Sequence, residues 1–352
     1  MAPLPSPSPT SLETLIASPP IAPKAQSKAH RRQTTTFDEA PEYLRQNCCI
    51  RTGYRRELGC WKECVLSLGW WHNELANAWT HLLPCSFCLS VLLAGSAFAL
   101  FPSLLQVYLP TLHTPSAPSL SWRAAITPVF PFPSPAQPSV TLLDTAVFGL
   151  LFAGAAVCFG LSSAYHCGLA HSEKVCSRAR RADHFGILCH GSLRFIAAFH
   201  FGFYCDPYLR NSYILLMAVA CAAGVYVIVL SDELQKYEYR KVRTGVFAAI
   251  GGVAVVPFGH AILRYGYEAA SERMSFGWIG VELLCFLLGA IFYSERYPES
   301  LFPGKFDLLG NSHNIFHLLA VGAVAAEYAA ASEGFRVVHG AAGGAPFSCL
   351  AG

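Results

Sequence analysis

Two histidines, His313 and His317, stand four residues apart in the run SHNIFHLLAVGAV over residues 312–324. On a helix that spacing puts both imidazoles on one side, a turn apart. Ser162 and His166 repeat the spacing where another apolar run ends in SSAYH, and Asp183 follows in RADHFG. Three neutral imidazoles suit Zn2+ at about 2.0–2.1 Å, and three protein ligands with a fourth position left for water form the catalytic pattern rather than the closed structural one. Asp183 would orient or deprotonate that water, and Ser162 would donate to a developing oxyanion or steady a ligand. Taken alone, His313 and His317 fit a hydrogen-bonded or interfacial pair better than a metal site. The second set at matching depth favours a metal, because ionisable groups inside a membrane mark function.

The elements that must position these residues are transmembrane helices. Of 352 residues, 53% are hydrophobic and only 13% charged, which is too apolar for an ordinary soluble domain and excludes a nucleic-acid-binding protein as the leading class. Windows of about 20 apolar residues occur at 82–101, 145–166, 185–205, 212–230, 244–264, 276–294 and 313–331. The expected fold is therefore an all-α membrane protein, a seven-transmembrane helix bundle. Lys and Arg fall nineteen on one side of such a bundle and five on the other. The excess marks the cytosolic side, so the N-terminus is expected in the cytosol and the C-terminus on the non-cytosolic side. With this topology the end of span two, the start of span three and the start of span seven meet at the cytosolic face. The N-terminus carries no basic start followed by an apolar block, so internal spans are expected to direct insertion. The host membrane is expected to be the plasma membrane or an endomembrane.

Residues 1–36 are rich in Pro, Ser, Thr and Ala and are expected to form a disordered cytosolic tail. The domain proper is expected over 37–334, with a short non-cytosolic tail over 335–352 and a Pro-rich loop at 102–143 that resists regular structure. Most of the fourteen cysteines lie in apolar segments and read as buried free thiols. Before span one, NELANAWTHLLP sets Glu74 beside Asn77 and His81, which share a helix face and suit a hydrogen-bonded brace between helices better than further metal ligands. Span three carries His184, His190, Arg194 and His200, and Glu282 and Glu327 lie in spans six and seven; Arg194 calls for one of these two glutamates.

The segments ELANAWTH, SSAYH and SHNIFH resemble, in order and spacing, the three signature motifs of the progestin and adipoQ receptor family, also called the haemolysin III-like family. RQNCCIRTGYR, HSEKVCSRARRADHFGI and FPGKFDLLGNSHNIFH resemble its adiponectin-receptor branch, and the likeness covers about residues 37–334. The resemblance implies seven helices with a cytosolic N-terminus and zinc held by His166, His313 and His317. It also implies that Asp183 contacts the metal-bound water, with Ser162 beside it. It further implies hydrolysis of a ceramide-like lipid amide, sensing of an extracellular protein or steroid-like ligand, and roles in lipid and zinc metabolism. The Pro-rich loop, Arg194 and Glu327 depart from the family pattern and leave the ligand open. The expected function is a receptor with zinc-dependent lipid amide hydrolase activity. The alternatives are a ligand-sensing receptor whose zinc is purely structural and, more weakly, an ion transporter.

Overall fold

The computed structural model describes residues 34–100, 140–339 and 349. The expected N-terminal tail, the Pro-rich loop and most of the C-terminal tail lie outside the described residues. Eleven α-helices are assigned among those described: α1 Trp61–Leu66, α2 Leu75–Leu100, α3 Leu142–Gly168, α4 Glu173–Gly202, α5 Pro207–Gly224, α6 Asp232–Gln235, α7 Arg240–Gly252, α8 Val255–Tyr265, α9 Tyr267–Met274, α10 Phe276–Glu295 and α11 Ser312–His339. A π turn over Val225–Val229 prolongs α5. Six passes are long and apolar enough to cross a membrane: α2, α3, α5 with its π turn, α7 with α8, α10 and α11. The helix α4 is equally long, 30 residues, but carries charge along its length.

Local chemistry sets several of the boundaries. Thr141 opens α3 with a capping box, its backbone N–H donating to Asp144 Oδ2 at 2.7 Å. Pro207 begins α5, where its missing N–H costs nothing. The helix α4 starts at Glu173, well before the apolar stretch expected at 185, because Arg180 and Arg181 find carbonyl acceptors, Gln235 O and Val229 O, instead of repelling the bilayer.

The core lies between α2, α3, α4 and α11, where Phe148, Leu151, Ala155, Phe159, Phe201, Ala331 and Phe335 are buried. A side chain at Gly186 would meet the Cys158 backbone at 3.1 Å, so the glycine lets α4 lie close against α3. Outward faces carry exposed Leu93, Leu215, Val219, Leu263 and Leu287, the surface a bilayer covers.

Where α3 ends and α4 begins, the pre-helical segment folds into a lid. Two short strands, β1 Thr34–Thr35 and β2 Tyr54–Arg55, pair antiparallel with Thr34 opposite Arg55. Leu44, Ile50 and Tyr54 pack on Tyr165, Leu169 and Cys176. Asp307 accepts the backbone N–H groups of Arg51 and Thr52 at 2.9 and 2.8 Å, tying the lid to the loop before α11. In that loop the fully buried Glu299 accepts Ser312 N–H at 2.7 Å, placing a carboxylate at the N-terminus of α11. At the opposite end a disulfide joins Cys205, just past α4, to Cys349. The reading of the cysteines as mostly free thiols holds for the other twelve and misses this pair.

Candidate metal centre

The last turns of α3 and the first turns of α11 converge beneath the lid. Buried Arg55 holds the end of α3 in place: its guanidinium donates to the carbonyls of His166 and Cys167 at 2.5 and 2.8 Å and to Ser67 Oγ at 2.7 Å. A cation at a helix C-terminus is favoured by the dipole as well as by the free carbonyls. His166 is thereby fixed beside His313 and His317, and one ligand atom from each lies within 4.8 Å of the others. His166 and His317 are buried and His313 is half-buried.

The hydrogen bonds assign lone pairs. His166 Nδ1 donates to Glu74 Oε2 at 2.8 Å, which leaves its Nε2 as an acceptor 3.2 Å from His313 Nε2. His317 Nδ1 lies 3.2 Å from the Asn77 carbonyl and 3.0 Å from Thr80 Oγ1, so its outer nitrogen is also free to ligate. A carboxylate behind His166 and a carbonyl behind His317 is the arrangement that fixes a ligating tautomer. Two Nε2 atoms bound tetrahedrally at about 2.05 Å would stand about 3.3 Å apart, close to the separation present. The types and grouping of these donors therefore fit a metal ion, with the His166–His313 pair already at a ligating separation.

The remaining sequence candidates surround this cluster. Glu74, immediately before α2, is the direct partner of His166 and also accepts Asn77 Nδ2 at 2.8 Å. Asn77 Oδ1 accepts Asn314 Nδ2 at 2.6 Å, joining α2 to α11. His81 stacks on His317, centroids 3.6 Å apart and planes at 3°; neither of its ring nitrogens has a hydrogen-bond partner among the described residues. Asp183 faces Ser162 and His166 and lines the same cavity as His166, His313, Glu74 and Asn77. Sequence reasoning missed Thr80, Arg55 and Asn314. Asn314, three residues from His317, and Thr80, three from Asn77, had a signal in helical spacing; Arg55 had none.

Farther along α4, Arg194 meets Glu282 in an ion pair, which settles which glutamate it takes. His190 Nε2 lies 3.1 Å from Glu327 Oε2. Near the disulfide end, His200 Nε2 is 2.7 Å and His339 Nε2 3.3 Å from opposite oxygens of Asp144.

The family model described as haemolysin-III related matches residues 69–328, a stretch that includes every histidine of the cluster, Asp183 and Glu74. The chain belongs to the haemolysin III-related family. Its relatives include the ADIPOR-like receptor IZH2 of Saccharomyces cerevisiae, 27% identical over 90% of this chain and 88% of that protein. The adiponectin receptor protein of Drosophila melanogaster is 31% identical over 84% of this chain, which spans 58% of the fly protein. The heptahelical transmembrane protein ADIPOR1 of Oryza sativa subsp. japonica is 31% identical over 84% of this chain and 82% of that protein. The haemolysin III-related chain is accordingly a multi-pass integral membrane protein of the ADIPOR-like receptor family.

Proposed function

We propose that the protein is a zinc-dependent lipid amide hydrolase of ceramide type within a receptor scaffold, acting in lipid and zinc homeostasis. The observation that carries this reading is the set of three imidazoles with one ligand atom each inside 4.8 Å, two of which, His166 and His313, line a cavity that also holds a carboxylate, Asp183. His166, His313 and His317 would hold the ion. Bound there, zinc supplies Lewis acidity that polarises a carbonyl and acidifies water.

The chain's own residues supply the rest. Glu74 holds the Nδ1 proton of His166 and so keeps its Nε2 lone pair turned inward. Asp183 would take a proton from the attacking water and pass it to the departing amine, and Ser162, beside it, would orient that carboxylate. The lid over the end of α3 limits access of bulk water.

The face bearing the cluster is proposed to be cytosolic. Supporting this are the excess of Lys and Arg on that side and the Cys205–Cys349 disulfide at the other end, which needs an oxidising compartment to persist.

The test is release of fatty acid from labelled ceramide by the purified full chain, with zinc measured on the same samples. Native protein is expected to release fatty acid and to lose activity on chelation and in His317→Ala. Asp183→Asn should keep its zinc and lose turnover. If the native protein is full of zinc but inert, the hydrolase reading fails and the metal is structural, leaving a ligand-sensing receptor.

A further inference from the structure

Four arginines line the cavity above the histidine cluster: Arg180 from α4, Arg240 and Arg243 from α7, and Arg296 just past α10. The cavity measures about 100 Å³, and its only carboxylates among the described residues are Glu74 and Asp183. With neutral histidines, four guanidiniums against two carboxylates leave the lining two positive charges in excess. Glu74 is already committed to His166 and Asn77.

Three neighbouring cations have carboxylate partners: Lys236 with Glu233, Lys241 with Glu295, Arg181 with Asp232. Among the described residues none of the four lining arginines forms an ion pair with a carboxylate. They meet neutral acceptors instead. Arg180 donates to Gln235 O, Arg240 to Ser294 O, and Arg243 to the carbonyls of Leu234 and Lys236, while Arg296 donates to Cys48 Sγ and lies over the Tyr237 ring. The Nε atoms of Arg180 and Arg296 are buried without a hydrogen-bond partner. Each guanidinium offers five N–H donors in a fixed fork. Positive charge gathered without its counterion, next to spare donors, is costly unless an anion completes it. Arginines facing lipid phosphates at the membrane surface would instead be exposed, whereas Arg243 is 4% exposed and the others are half-buried.

We infer that this cavity is an anion site that takes the phosphate or carboxylate of a lipid headgroup, and that the amide lipid whose acyl amide reaches the histidine cluster is an anionic derivative of ceramide, which itself carries neither group. The second half rests on the hydrolase reading; the anion site does not. Guanidinium forks bind both oxyanions in bidentate fashion, and a cavity of this size suits the polar end of a lipid rather than its chains.

The experiment is binding, read without turnover on the full chain in detergent with its zinc content measured. Thermal unfolding is followed while inorganic phosphate, dihexanoyl phosphatidic acid or dihexanoyl phosphatidylcholine is added at matched ionic strength. Phosphatidic acid is expected to raise the midpoint in a saturable way and phosphatidylcholine to do so far less. Arg180→Gln/Arg296→Gln should weaken the response by about tenfold or more, and Arg180→Lys/Arg296→Lys should retain part of it because the charge remains. A rise with inorganic phosphate as well leaves the anion chemistry intact and shows that a free anion suffices. A response to inorganic phosphate without one to phosphatidic acid overturns the lipid headgroup. No response to either anion, or a response unchanged in the Gln pair, overturns the site. Loss of ceramide hydrolysis alone would touch only the hydrolase reading.

Discussion

At the scale of single residues, Glu74 is the side chain on which the cluster's orientation turns. Its carboxylate fixes the His166 tautomer through a 2.8 Å contact, and such outer partners are worth about 10–100-fold in metal affinity. Glu74→Gln is expected to lower zinc affinity by that range in a chelator competition while helicity by circular dichroism stays unchanged; unaltered affinity would mean that His166 needs no such partner. Two residues earlier, His72 is fully buried, accepts the Glu74 N–H on Nδ1 at 3.1 Å, and leaves Nε2 without a hydrogen-bond partner among the described residues. Burial first, and then the charge of Arg55, push its pKa from 6.5 down to about 3. As pH falls below 6.5 the unfolded chain binds a proton that the folded chain refuses. The stability His72 confers is therefore present above 6.5 and lost progressively toward 3. Unfolding midpoints should drop more steeply across this window in the native protein than in His72→Asn, whose side-chain oxygen can replace the Nδ1 acceptor. Equal slopes would show that His72 is protonated in the folded state.

At the scale of elements, what the sequence made legible follows from distance along the chain. His313 with His317, and Ser162 with His166, are local pairs whose helical spacing alone puts them on one face. The six apolar passes stand out because each is a continuous hydrophobic stretch. The true start of α4 does not, since Lys174, Arg178, Arg180 and Arg181 depress its hydropathy and only the folded partners of Arg180 and Arg181 explain how such a start is tolerated. Glu74 meeting His166 across 92 residues, and Cys205 meeting Cys349 across 144, leave no periodic trace. Arg55 as the cap of α3 was equally hidden: a basic residue before the first pass reads as one more positive charge, and only the folded lid reveals that it is buried against two carbonyls.

At the scale of the whole molecule, α4 is the least apolar pass and yet lies at the centre of the bundle, so something other than hydrophobicity must hold it. Polar staples at successive depths do this: His190 to Glu327 on α11, Arg194 to Glu282 on α10, and His200 to Asp144 on α3. The Arg194 pair is the sharpest case, with the guanidinium 4.3 Å from the Phe195 ring centroid and 4.7 Å from that of Phe286. Removing one partner strands a charge in a low-dielectric interior, which costs about 3–5 kcal/mol, whereas replacing both by packed apolar groups is often neutral. Arg194→Leu and Glu282→Leu are each expected to lower the unfolding midpoint sharply, and the double variant to recover most of the loss. A double variant as unstable as either single one would mean that the pair does more than neutralise itself. Recovery would show that the pair serves to neutralise itself and that apolar packing at this depth holds α4 as well.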